Sequence, residues 1–278
     1  MEFYISEKIN DHLTCIRSKS GELMYLLEGE TECALIDSCF GIGHLRDYVK
    51  TLTDKPVTLF LTHGHIDHAM GAPEFHVVYL NEKDLPLYQK QCSLEERTGY
   101  AHATLGPAAD TLKKEDFTPV MPEKSFQSLE DGMTFDFKPF TLEAFACPGH
   151  TKGTMIFLIR EMKILITGDA CNNATFLFDQ DCLTVEEYKE VLQKNQNRLA
   201  GKYDRVLISH HVMDADADLL QQVIAVCDEV LAGKGDDLPF EFMGMHAFIA
   251  KRCNERFERE DGKFGNMIYD KQKLYTKK

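Results

Sequence analysis

Residues 62–68 read Thr-His-Gly-His-Ile-Asp-His, so four potential metal ligands (His63, His65, Asp67 and His68) fall within six residues. His63 and His65 are two apart, and on extended backbone side chains with that spacing project to the same side, where they can grip one ion. Asp67 and His68 fall where the chain must turn into its next element, so they can face a second ion nearby. Three further candidates close apolar runs elsewhere: His150 in Pro-Gly-His-Thr, Asp169 in Thr-Gly-Asp-Ala, and His210 in Ile-Ser-His-His. A lone strand-end Asp or His is an ordinary turn or capping residue. Seven of them, each placed at the end of such a run, are hard to explain as packing.

The elements that must position these residues alternate between strand and helix. Tyr25–Leu27 and Cys33–Asp37 flank Glu-Gly-Glu-Thr, a hairpin signature, and Val57–Thr62 is a β-branched and aromatic strand running straight into His63. Further strands are expected at Val77–Leu80, Thr134–Phe137, Leu142–Ala146, Met155–Ile159, Ile164–Thr167, Arg205–Ser209, His246–Ala250 and Asn266–Tyr269. Helices are expected at about His44–Leu52, at Thr184–Ala200, where Thr184 and Glu187 form a capping box, and at Asp216–Leu231, stopped by Gly233. Gly41-Ile-Gly43 before a helix invites a dinucleotide-binding reading. Arg46 occupies the third glycine position and no acidic residue follows a later strand at the right distance, so that reading fails. Residues 81–124, punctuated by Gly99, Gly106, Pro107, Pro119 and Pro122, are too long for a plain connection and read as an insertion or lid. No linker or repeat is evident. The alternation argues one layered α/β domain over 1–278, with a C-terminal extension from about 235.

With these residues in view, the chain resembles the metallo-β-lactamase superfamily, whose signature is HxHxDH followed by separate His, Asp and His ligands in that order. The match is His63-Gly-His65-Ile-Asp67-His68, then His150, Asp169 and His210, with Asp37 in the position of the family's first motif, which buttresses the ligand loop. The resemblance covers about residues 12–215. It implies an α/β, four-layer αββα sandwich. It also implies two metal sites, one of His63, His65 and His150, the other of Asp67, His68 and His210, with Asp169 bridging. Imidazole and carboxylate donors suit Zn2+, two per chain, with Fe or Mn as alternatives. A bridging hydroxide would attack the substrate while Asp67 orients it. His211, next to His210, is a second catalytic candidate, as a substrate contact or an acid for the leaving group, a surface histidine being the alternative.

Among the family's reactions, this pattern favours a dinuclear zinc hydrolase of a small ester, thioester or lactone. The alternatives are an iron-dependent persulfide dioxygenase and a phosphodiesterase or nuclease. Flavin-linked diiron members usually carry Glu where this chain has His65. The β-lactamases lack an Asp at the position of Asp169. Glutathione-binding members use basic side chains in a C-terminal helical region, where Lys251, Arg252, Arg256 and Arg259 are candidates by location. Substrate contacts are expected from the insertion, at Tyr100 and His102, with Tyr88, Phe117 and Met121 as further candidates, and from Asn172 beside Asp169.

Composition narrows the partners. The 278 residues carry 31 Lys and Arg against 45 Asp and Glu, a formal charge of −14, with no dense basic block; Lys271, Lys273, Lys277 and Lys278 read as a solvated tail. A small-molecule substrate is expected rather than nucleic acid, whose binding rests on neutralised phosphates. No apolar run nears the ~18 residues of a membrane helix, and the first residues do not read as a signal peptide. Nine scattered cysteines without a CxxC pair argue against a disulfide framework, so a cytoplasmic protein is expected, with a homodimer left open as its assembly.

Overall fold

The computed structural model describes residues 3–242 and 244–276, so Lys277 and Lys278 of the expected tail lie outside the described residues. The chain forms two compact units, 1–142 with 209–213, and 143–208 with 214–278.

The first unit is built on a seven-stranded sheet in chain order: β1 (Tyr4–Lys8), β2 (Leu13–Ser18), β3 (Leu23–Glu28), β4 (Cys33–Ile36), β5 (Val57–Phe60), β6 (Val77–Leu80) and β7 (Gln127–Ser128). Strands β1 to β4 form an antiparallel meander, with Leu27 opposite Ala34 across the hairpin, and β4 to β7 run parallel. The central strands are buried along their length, whereas β1, at the edge, buries only Tyr4. The helices are α1 (Leu45–Lys50), α2 (Ile66–Ala69), α3 (Leu85–Gln91) and α4 (Leu94–Leu105), the last two in the expected insertion. Ser93 caps α4, its hydroxyl accepting from Glu96 N–H. Strand β8 (Thr134–Phe137) completes this unit, and the chain leaves it within β9 (Phe140–Ala146).

In the second unit, β10 (Met155–Ile159), β11 (Ile164–Gly168), β13 (Arg205–Ile208) and β14 (Asp214–Ala215) extend from β9 in the order β9-β10-β11-β13-β14. A four-stranded sheet lies in the order β12 (Thr175–Leu177), β17 (Met267–Tyr269), β16 (Met245–Ile249), β15 (Leu238–Phe242). Helices α5 (Val185–Leu199) and α6 (Leu219–Leu231) share one core with both sets of strands, through Tyr188, Leu192, Val223, Leu158, Leu165, Leu177 and Met267. The capping box of α5 forms as expected, Thr184 Oγ1 accepting from Glu187 N–H and the Glu187 carboxylate from Thr184 N–H. The segment carrying Arg252, Arg256 and Arg259 is not helical. It is a loop after β16 in which Arg259 is held on Asp261 and Gly265 O, Arg252 lies by Glu260, and neighbouring Lys251 by Glu229 and Asp236. Among the described residues, no helix is long and apolar enough to cross a membrane.

Candidate metal centre

Strand β4 ends at Ile36, and Asp37 follows in the left-handed region at φ 64°. That turn points a buried carboxylate back at the end of β5. Asp37 Oδ1 accepts from Thr62 N–H at 2.8 Å and Oδ2 accepts from His68 Nδ1–H at 2.8 Å. The Thr62 hydroxyl donates to the same carboxylate at 2.9 Å, so its oxygen accepts from His63 Nδ1–H, also at 2.9 Å. One carboxylate thereby fixes two imidazole tautomers, each with Nε2 as the lone-pair nitrogen.

The ligand loop itself is shaped by the insertion. Gly64 N–H donates to Asp84 Oδ2 at 2.9 Å and Ile66 N–H to Gln91 Oε1 at 2.8 Å. Gly64 can only be glycine here, because a Cβ would sit 2.7 Å from the Asp84 carbonyl oxygen. His63 and His65 then lie with ring centroids 4.8 Å apart. Asp67 and His68 fall in α2, and Asp67 Oδ2 lies 3.6 Å from His68 Nε2.

His210 returns to this unit after β13. Leu23 N–H donates to Ser209 O at 2.8 Å, and Glu22 pairs with His210 as an isolated bridge. His210 Nε2 lies 3.1 Å from His68 Nε2 and 3.4 Å from Asp67 Oδ2. Two imidazole nitrogens and a carboxylate oxygen so close together suit a divalent ion. The neighbouring His211 adopts φ 56°, is exposed, and donates its N–H to Gly21 O.

The second unit holds His150 and Asp169. His150 sits in the turn after β9, donating Nδ1–H to Phe176 O at 2.8 Å, the same tautomer-fixing arrangement. Gly149 before it packs under Tyr188, whose ring a Cβ would meet at 2.2 Å. Asp169 directly follows β11, with Oδ2 at 3.9 Å from His150 Nε2. Asn172 is part of the following turn: its Oδ1 accepts from Ala174 N–H at 2.7 Å, and its amide nitrogen approaches Asp169 Oδ1 at 3.5 Å. Cys171 is buried and its thiol is pushed well up by that burial, which removes it as a thiolate nucleophile.

The expected substrate contacts separate. Tyr100 on α4 is half-buried, donating to Glu22 Oε1 at 2.7 Å with its oxygen 3.4 Å from Asp67 Oδ2. Burial first, then the Asp67 and Glu22 carboxylates, raise its phenol well above the usual range, so it stays a protonated donor. His102, two residues on, is exposed beside Asp110 at 3.7 Å. Tyr88 and Met121 are core residues, the Tyr88 oxygen accepting from Met121 N–H, and Phe117 packs under the Arg97 guanidinium. Three supporting residues were not foreseen. Asp84 and Gln91 have no local spacing to mark them. Glu22 sits beside a hairpin, where a lone glutamate ordinarily faces water, yet it is buried beneath the hydroxyls of Ser18, Ser20 and Tyr100 and the Cys39 thiol.

Residues 20–210 match the Metallo-beta-lactamase superfamily, and the chain belongs to it. It is 28% identical over 147 residues to the "Probable metallo-hydrolase YqgX" of Bacillus subtilis, covering 52% of this chain and 64% of that protein. It is 26% identical over 181 residues to the "Atrochrysone carboxyl ACP thioesterase" of Aspergillus fumigatus, covering 64% of this chain and 47% of that one. The chain thus spans less than two thirds of the length of either curated relative. Its fold is that of the metallo-beta-lactamase from Pontibacter korlensis, with a TM-score of 0.59 at 19% identity over 81% of this chain and 99% of that one. The expected α/β metallo-β-lactamase sandwich is the fold observed.

Proposed function

We propose that the chain is a dinuclear zinc-dependent hydrolase of a small ester, thioester or lactone. In this reading His63, His65 and His150 hold one ion, and Asp67, His68 and His210 the other, with Asp169 shared. The observation that carries it is the locking of three imidazoles through Nδ1: His63 on Thr62, His68 on Asp37 and His150 on Phe176 O. Each such lock leaves Nε2 as the donor, which a metal ligand requires and a packed core histidine does not. The ligand order along the superfamily and the thioesterase and metallo-hydrolase relatives support the same reading.

Bound ions would acidify water and polarise the acyl carbonyl. The chain's own residues do the positioning. Asp67, braced by the Tyr100 hydroxyl at 3.4 Å, orients the attacking water, whose oxygen adds to the acyl carbon as the bond to sulfur or oxygen breaks. The leaving thiol or alcohol takes the proton. A charge of −14 favours an uncharged small substrate over a nucleic acid, and nine free thiols suit a reducing compartment such as the cytoplasm.

The test is elemental analysis of protein purified without added metal, joined to turnover of a panel of esters, thioesters and lactones. About two zinc ions per chain, with hydrolysis abolished by chelation and by Asp67→Ala in a folded protein, are expected. One iron per chain with oxygen consumption on persulfide would overturn the reading, as would a fully active Asp67→Ala.

A further inference from the structure

We propose, resting on the hydrolase reading above in which Asp67 holds an ion, that Glu22 is a positioning residue of the metal centre. It takes the single hydrogen of the Tyr100 hydroxyl and so keeps Asp67 Oδ2 open to the ion. Glu22 is 2% exposed. Burying a carboxylate is costly unless donors surround it. Here they do: the hydroxyls of Ser18 and Ser20 and the Cys39 thiol donate to Oε2, and Tyr100 donates to Oε1.

A phenol has one hydrogen, and this one lies beside two carboxylates. Its oxygen is 2.7 Å from Glu22 Oε1, an ordinary O–H···O length, and 3.4 Å from Asp67 Oδ2, which is beyond it. The hydrogen therefore lies on Glu22, and Asp67 meets the phenol oxygen. Oδ2 is also the Asp67 atom that faces the candidate ligands, at 3.6 Å from His68 Nε2 and 3.4 Å from His210 Nε2. A hydrogen turned onto Oδ2 would compete with an ion there for the same electron pairs.

Backbone pairing keeps the acceptor in register with this group. Glu22 pairs with His210 in the isolated bridge, and Leu23 N–H holds Ser209 O at 2.8 Å. Directly paired residues carry their side chains on one face, so the Glu22 carboxylate and the His210 imidazole stand on the same side.

Glu22→Gln isolates the effect, because glutamine has one acceptor oxygen where glutamate has two. Ser18, Ser20 and Cys39 all donate to Oε2 and Tyr100 alone to Oε1, so the amide oxygen takes the Oε2 place. The NH2 then faces Tyr100, donates to the phenol oxygen, and turns its hydrogen onto Asp67 Oδ2.

Equilibrium dialysis in zinc buffers measures both ions in the parent, Glu22→Gln, Tyr100→Phe and the double variant, with circular dichroism to verify folding. Glu22→Gln is expected to weaken one ion about 10- to 100-fold and leave the other at parental affinity. In the Tyr100→Phe background there is no hydrogen to redirect, so the same change should weaken that ion less than about threefold. Equal losses in the two backgrounds, the result a merely structural carboxylate gives, overturn the proposal, as does no loss in either. A second readout needs no change at Glu22. In the zinc-loaded parent, the Tyr100 hydroxyl proton, assigned by its loss in Tyr100→Phe, should show a nuclear Overhauser contact to the Glu22 Cγ protons. Contact to the Asp67 Cβ protons in its place overturns the proposal. Zinc affinity unchanged by Glu22→Gln, in a parent that hydrolyses esters, overturns the role of Glu22 and leaves the hydrolase reading standing. A parent that binds two zinc ions and hydrolyses no ester, thioester or lactone counts against the hydrolase reading, and dialysis then decides Glu22 alone.

Discussion

Asp37→Asn tests whether the carboxylate after β4 governs metal binding through the tautomer of His68. Asparagine is the right probe because it tolerates the φ of 64° at this position, which alanine would strain. It also keeps one oxygen to accept from Thr62 N–H, now at 2.8 Å. What it cannot keep is the second acceptor. Its amide nitrogen would meet His68 Nδ1–H, donor against donor, where the carboxylate accepts at 2.8 Å. Either the bond is lost or His68 shifts its proton to Nε2, the atom meant for the ion. A hydrogen bond to a charged group contributes about 1.5–3 kcal/mol. Loss of such support for a ligating histidine typically weakens metal affinity about 10- to 100-fold, or roughly 1.4–2.7 kcal/mol. The two estimates coincide, so the expected change is in that range, confined to the ion that His68 holds. Equilibrium dialysis in zinc buffers with elemental analysis reads it directly, with circular dichroism to verify the fold and His102→Ala as an exposed control. Zinc affinity within about twofold of the parent, in a folded Asp37→Asn, refutes the reasoning.

Three further outcomes are expected. Tyr100→Phe keeps the ring packed 5.2 Å from Phe40 but removes the donor to Glu22 and the brace on Asp67; it should cost about 1–3 kcal/mol in urea denaturation and loosen metal retention, and unchanged values in both would sink the bracing role. Arg97→Leu removes the guanidinium that donates to Phe40 O, Gly41 O and Thr118 O, and stranding those carbonyls should cost about 3 kcal/mol or more; a loss under about 1 kcal/mol would refute it. The Glu187 carboxyl is held below its usual range chiefly by the Thr184 hydroxyl. Its stabilisation is therefore present above the unfolded pKa near ~4.3 and lost as pH falls through the lower folded value. Glu187→Gln should flatten the acid limb of the stability profile between about pH 3 and 5, and a profile parallel to the parent's would contradict this.

The candidate ligands could be picked out because they are written in local spacing: an HxHxDH cluster after a strand, and single His or Asp residues closing apolar runs, need no tertiary information to be noticed. The capping box of α5 was legible for the same reason. Strands β1 and β15 escaped because each is an edge strand. Tyr4–Lys8 is mostly exposed and polar, and Leu238–Phe242 contains Pro239, which reads as a break although an edge strand accommodates it. Strand β12, at three residues, is too short for any periodicity to register. The supporting residues of the centre were hidden more deeply. Asp84 and Gln91 meet backbone 20 and 25 positions earlier, and Glu22 meets Tyr100 across 78, separations that no local pattern encodes.

Those supporting contacts change what the segment 81–124 does. Read from sequence it is an insertion or a lid, and a lid acts on substrate. In the structure Asp84, Gln91 and Tyr100 reach the backbone and the carboxylate of the ligand loop, while Arg97 ties the loop after β4 to Thr118. A loop carrying four candidate ligands in six residues has few internal hydrogen bonds to hold it, since α2 is a single turn. Its geometry must then be set from outside, and the insertion supplies that. Substitutions at Asp84, Gln91 or Tyr100 should accordingly appear first in metal affinity and only through it in turnover. A Gln91→Ala variant that retained zinc as the parent does but changed its ester preference would reverse this assignment and restore the insertion to the role of a lid.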